Sequence, residues 1–251
     1  MAKHYIIMSS SYTDGTRVAL DITEVSLLNS EAIAKIIKEI KLRCGKDVPL
    51  STHLIETDSD SWSSVAEYDS FFEDVDCVKS VVEFSEKIER GRVLTGLDVA
   101  TYILSKIKCT HLSLEKLVYF AYAEYLCEYS DHLFEDKIYA FAHGPVVDSV
   151  YKTYKQSGYK YVEAPKQEYD SELRTGVREL PAKSRILFAK DGAEKLRSID
   201  KTIQTYGKYT AGALVSFTHR KGSPWSHVNS SKPYQAISDE LIMTHHHVEC
   251  V

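Results

Sequence analysis

Ser113-Leu-Glu-Lys-Leu-Val-Tyr-Phe-Ala-Tyr-Ala-Glu-Tyr-Leu126 opens the stretch, running to Tyr154, on which the fold of this chain turns. Leu114, Leu117, Ala121 and Leu126 recur at helical spacing, and Val118, Tyr122 and Tyr125 widen the apolar face. A surface that broad predicts a helix contacted on more than one side. Ser113 is the N-cap candidate, because its hydroxyl can accept from the free amides of a first turn. Lys116 and Tyr119, three apart, are neighbours on that helix. The plain reading of Tyr119, Tyr122 and Tyr125 is core or rim aromatics with their hydroxyls in water.

The chain then breaks at Ser130-Asp131-His132, passes through Ile138-Tyr-Ala-Phe-Ala, and restarts at His143-Gly-Pro-Val-Val-Asp-Ser-Val-Tyr151. Pro145 in a first helical turn loses no intrahelical hydrogen bond, which predicts a helix from Pro145 to about Gln156. Its free amides could receive a carboxylate or a phosphate, and a simple structural turn is the alternative. Val146, Val150 and Tyr154 form its buried face. Further on, Thr218-His219 ends a predicted helix, and Gly222 with Pro224-Trp225 reads as a tight loop anchored by an aromatic ring.

Outward from this centre, the N-terminal part changes character. His4–Met8 and Arg17–Val25 are β-prone runs separated by Asp14-Gly15, a hairpin signal. Ile33, Ile36, Ile37 and Ile40 follow at helical offsets behind Ser30, with Gly45 as the terminator. Leu50–Glu56 suggests a third strand, and Val78, Val81, Val82 and Ile88 a second helix. The charged Glu89-Arg-Gly-Arg92 segment predicts a boundary, after which Thr95-Gly-Leu-Asp98 has the form of a capping box. The expected organisation is α+β: a small hairpin-plus-helix unit over 1–92, then a mainly helical unit over 93–251. Tyr159–Arg185, with Pro165 and Pro181, reads as a long exposed connection.

Bulk properties narrow the function. The chain has 251 residues, 43% of them apolar and 27% charged, with a net charge of -5. That balance carries no polyanion-seeking signature. Local charge is uneven: 56–89 holds eleven Asp/Glu against Lys79 and Lys87, and 152–208 holds thirteen Lys/Arg against eight Asp/Glu. Five scattered cysteines without a Cys-x-x-Cys pair fit reduced thiols in a cytoplasm. No apolar run approaches a membrane span, so a cytoplasmic location with no membrane partner is expected.

The phrases Leu114-Glu-Lys-Leu-Val-Tyr-Phe-Ala, His143-Gly-Pro-Val-Val-Asp-Ser-Val-Tyr and Thr218-His-(five residues)-Pro-Trp resemble the SocA-like, prophage-associated GepA family. Its core is the Panacea antitoxin domain, whose opening Leu94-Thr-Gly-Leu-Asp-Val-Ala resembles. The resemblance covers about 93–251. It implies a mainly helical, non-enzymatic antitoxin with a cognate toxin as its partner and a cytoplasmic protease as a second one. Where the family usually has Tyr before Gly-Pro, this chain has His143. The residues expected to converge are Lys116, Tyr119, His143, Gly144, Pro145, Tyr151, Thr218, His219, Pro224 and Trp225.

Other chemistries find less support. His245-His246-His247 is the one histidine cluster, and neighbours on a helix splay about 100° apart, which encloses an ion poorly. No His-Glu-x-x-His, Gly-x-Ser-x-Gly or glycine-rich phosphate loop occurs, so neither a metal nor another cofactor is expected and a metal-dependent hydrolase ranks last. A DNA-binding prophage regulator is the main alternative. Lys183–Lys208 could follow a phosphate backbone, but Asp191, Glu194 and Asp200 dilute it and no helix-turn-helix stands out.

Overall fold

The computed structural model describes residues 1–11, 15–163, 182–228, 232 and 234–251. Asp14 and the connection over 164–181, with both of its prolines, lie outside the described residues. The fold is α+β, and its described residues divide into two compact units. One comprises Met1–Val93 with Phe188–Asp191, and the other the remainder from Leu94 onward.

The first unit is built on β1 (Ala2–Ser11), which pairs antiparallel with both β2 (Thr16–Ile22) and β3 (Ser51–Thr57). β4 (Val75–Val78) adds to β2 in parallel, giving the order β3-β1-β2-β4. Successive strand side chains point to opposite faces. Ile7 therefore packs with Ile33, Ile40, Phe84 and Ile88 of α1 (Ser30–Cys44) and α3 (Val81–Arg92), while Ile6 and Met8 pack with Val65 of α2 (Trp62–Tyr68) and with Phe72. β1 is thus buried on both faces. Its one buried ionisable side chain, His4, bonds Asp21 through Nδ1 and Thr57 Oγ1 through Nε2, each at 3.0 Å, and Lys79 closes on Asp21 at 2.5 Å.

Local signals place the boundaries here with small shifts. Gly45 ends α1 at φ +101°, donating to Lys41, as its position predicts. The N-cap is Asn29, whose side chain accepts from Ala32, and not Ser30. Val78, read from sequence as the start of a helix, is the last residue of strand β4, and the helix begins at Val81. Glu89–Arg92 is the last turn of α3; Arg92 is buried and paired with Asp47 at 2.6 Å.

The second unit contains α4 (Gly96–Lys106), α5 (His111–Tyr129), β5 (Ile138–Phe141), β6 (Gly144–Val147), α6 (Asp148–Tyr154), α7 (Ala182–Phe188), α8 (Gly192–Tyr206), α9 (Ala211–Thr218), β7 (Gln235–Ala236) and α10 (Asp239–His245). Thr95 and Asp98 form the expected capping box at α4. α5 lies at the centre: every residue from Leu114 to Ala123 is buried, which fits its apolar surface on all sides. It is packed by α4, α6, α8, α9, α10 and β6. Its cap is Thr110, whose hydroxyl accepts from the Ser113 amide, so Ser113 stands inside the first turn.

The predicted helix from Pro145 does not start there. Residues 144–147 form β6, pairing antiparallel with β5 through Phe141↔Gly144 and Ala140↔Pro145, and the helix begins at Asp148. β6 is an edge of the order β6-β5-β7, where a residue without an N–H costs no ladder bond. Gly144, at φ +99°, makes the turn.

Candidate functional site

Three motifs far apart in sequence meet at the Phe141–Gly144 turn. A Cβ built on Gly144 would lie 2.7 Å from Thr218 Oγ1 and 2.9 Å from Lys116 Cε, so only glycine allows the approach. The Lys116 ammonium is fully buried and donates to the Pro145 carbonyl at 2.5 Å. On the other side of the turn, the Trp225 indole N–H donates to Phe141 O at 2.8 Å, and its ring lies 3.7 Å from that of His219. His219 Nδ1 sits 2.8 Å from Val215 O and its Nε2 3.2 Å from Ala142 O, which ties the end of α9 to the turn. Pro224 is buried and opens the 3₁₀ turn at Trp225–His227, and Ser223 donates to Thr218 O at 2.6 Å.

Seven of the ten expected residues therefore gather directly: Lys116, Gly144, Pro145, Thr218, His219, Pro224 and Trp225. Tyr151 stands beside them, its ring 4.9 Å from Phe141. Tyr119 lies one turn along α5 and points elsewhere, its hydroxyl donating to Glu249 at 2.8 Å. His143 is exposed at the turn itself. Trp225 is half-buried rather than enclosed in the core.

The anion expected at the following helix proves to be internal. Glu115, next to Lys116 on α5 and also buried, accepts from the Val147 amide at 2.8 Å and faces His111 at 3.1 Å. Asp136 accepts from Ser149 at 3.0 Å and from Gly96 at 2.6 Å. Both carboxylates sit at the start of α6, where they take up the Val147 and Ser149 amides.

A second polar layer continues beyond Tyr119. His246 Nδ1 lies 3.0 Å from Glu249, and Glu124 lies 3.5 Å from its Nε2. Tyr206 donates to Glu124 at 3.0 Å, and Tyr122 to Asp239 at 2.8 Å. Desolvation lowers Lys116 to about 8, with Glu115 and Glu249 partly opposing it. Burial likewise raises Glu249 and pushes Tyr119 well above its ordinary value. For His246 burial works against the charge, yet hydrogen bonding to Cys250, Glu124 and Glu249 outweighs it and the pKa rises. Hydrogen bonding to His246 lowers Glu124.

Sequence reasoning missed Glu115, Glu124, Asp239, His246 and Glu249 as partners of the central helix. Of the tyrosine hydroxyls expected in water, those of Tyr119 and Tyr122 are instead bonded to carboxylates. Only Glu115 had a local signal, adjoining Lys116 on a helix already read as buried. The basic stretch of the DNA-binding alternative is also largely occupied: Lys195 donates to Leu133 O, Arg185 faces Asp98 at 3.3 Å, Arg197 pairs with Glu194, and Lys201 approaches Glu124 and Glu128. All five cysteines are free thiols, and among the described residues no helix is long and apolar enough to cross a membrane.

The outer side of β5 is aromatic. Tyr139 and Phe141 both meet Tyr234 edge-to-face, at 5.4 and 5.5 Å, and Tyr151 completes the row. Tyr234 is 57% exposed. The motif residues thus hold a short sheet from behind, and the sheet presents aromatic rings in front.

This is the construction of a helical domain whose signature residues fix a presented surface. Residues 114–226 match the family model described as "Antitoxin SocA-like, Panacea domain". Over 132 residues the chain is 27% identical to "Antitoxin SocA" of Caulobacter vibrioides (strain NA1000 / CB15N), a match covering 51% of this chain and 66% of that protein. No solved structure matches the chain.

Proposed function

We propose that this protein neutralises a cognate toxin by direct protein–protein contact, using the aromatic face of the β5–β6–β7 sheet. The observation that carries the reading is the division of labour around the Phe141–Gly144 turn. Lys116, Gly144, Thr218 and Trp225 are spent on holding the hairpin, while Tyr139, Phe141, Tyr151 and Tyr234 form a row on its outer side. Tyrosine-rich patches suit protein recognition, since each ring brings large contact area with few rotatable bonds.

Co-expression with the growth-arresting protein encoded beside it tests the proposal. Restored growth and co-purification are expected; persistent arrest with no complex contradicts it. The finer route is that of an adaptor, handing bound toxin to a cytoplasmic protease. In that case toxin levels fall on co-expression in protease-competent cells and hold steady in protease-deficient ones. The division of labour extends to the chain: 93–251 carries neutralisation, and the acidic 1–92 unit adds a separate contact to a basic surface. Removing 1–92 should then weaken neutralisation, with an unchanged effect counting against that contact.

A further inference from the structure

We propose that Glu124, His246 and Cys250 form a binding site for a divalent transition-metal ion of the zinc class. Their ligand atoms all lie within 4.8 Å of one another. In a tetrahedral site with metal–ligand bonds of about 2.0–2.3 Å, neighbouring donors stand about 3.3–3.7 Å apart. His246 Nε2 and Glu124 Oε1 already have that spacing, at 3.5 Å. The thiol is the donor that must draw in, by about 1 Å on the same geometry. It is well placed to do so, for Cys250 is exposed and its Sγ lies 3.4 Å from the carbonyl of His246 itself.

Two features distinguish this cluster from chance proximity. The His246 side chain is 4% exposed, and its Nε2 faces into the cluster, 3.5 Å from Glu124 Oε1. A buried imidazole nitrogen held beside a carboxylate is placed to share a metal ion with it. The other ring nitrogen, Nδ1, lies 3.0 Å from Glu249, itself buried and held by Tyr119. A carboxylate on the far nitrogen is the arrangement that orients a metal-bound histidine and strengthens it as a ligand.

One nitrogen, one carboxylate oxygen and one thiolate are a donor set of intermediate softness, suited to zinc or cobalt over magnesium or calcium. Binding requires His246 neutral and Cys250 ionised, so the imidazolium and thiol protons pass to solvent as the two bonds form. The fourth position would be left to water. The histidine triplet is thereby split: His246 is a ligand, whereas His245 stacks on His227 at 4.1 Å and His247 is exposed.

Cobalt(II) added to tag-free, full-length protein provides the test, read as the near-ultraviolet thiolate-to-cobalt absorption together with stoichiometry by elemental analysis. One equivalent is expected with that band. Cys250→Ser should remove the band and weaken binding at least tenfold, and Glu124→Gln should weaken it several-fold. The paired His245→Ala/His247→Ala variant should bind as the wild type does. Because His246→Ala risks misfolding, the exposed Cys250 carries the decision. No uptake, or uptake unchanged in Cys250→Ser but lost in the His245/His247 variant, overturns the site and assigns any metal to surface histidines.

Discussion

β1 and α5 are both central and buried, but they solve burial differently. β1 presents Ile6, Ile7 and Met8 to two apolar layers and carries one ionisable node, His4 with Asp21. α5 is as deeply enclosed yet takes Glu115 and Lys116 inside with it, and lines its far side with tyrosine hydroxyls bonded to Asp239 and Glu249. Apolar burial is tolerant of volume-conserving change, whereas each buried charge binds its neighbours to one arrangement. The second unit is therefore the one in which a single polar substitution should do most damage.

Lys116→Ala provides the largest expected effect. It leaves the Pro145 carbonyl without its donor and takes one of two nearby cations from Glu249, in a cavity the side chain used to fill. A loss of about 3–5 kcal/mol is expected in urea unfolding; a loss below about 1 kcal/mol would place α5 on a par with an ordinary surface helix. Asp21→Ala is the matching change beside β1. Lys79 is half exposed and Thr57 still bonds His4, so about 2–3 kcal/mol is expected. A cost exceeding that of Lys116→Ala would reverse the ranking of the two units.

Gly144→Ala should cost about 2 kcal/mol, from the positive φ and from the approach of Thr218 and Lys116. Thermal unfolding would show it, and an unshifted midpoint would mean that the turn relaxes freely. A further effect concerns pH. The Lys116 pKa is lowered to about 8 in the fold from an ordinary 10.5. Below 8 the side chain is charged in both states and burial opposes folding in full. Between 8 and 10.5 the unfolded chain binds more protons, so stability rises with pH. Measured as the difference between wild type and Lys116→Met, which cancels the other titrating groups, wild type should gain over that window. A flat or falling difference would show that Lys116 is not desolvated.

How legible this was depends on range. Gly45, the Thr95–Asp98 box and the all-round apolar surface of α5 are local signals, and the structure follows them. The family motifs named the residues around the Phe141–Gly144 turn. What misled was a proline with two permitted settings: Pro145 suits a first helical turn, yet it sits in an edge strand because Ala140 pairs with it. What could not be read were partners supplied from far along the chain. Tyr119 meets Glu249 across 130 residues and Tyr122 meets Asp239 across 117. Nothing in the isolated tail distinguishes Glu249 from a solvated carboxylate, nor His246 from the histidines on either side.

The central claim is that the motifs hold a surface and the outer aromatics use it. Its most direct test is a Tyr139→Ala/Tyr234→Ala variant of the full chain, co-expressed with the proposed toxin partner. Partners recognised through such rings lose binding sharply on truncation while the scaffold behind remains. The account predicts a folded variant that no longer co-purifies with the toxin and no longer restores growth. A folded variant that still binds and protects as well as wild type would contradict it.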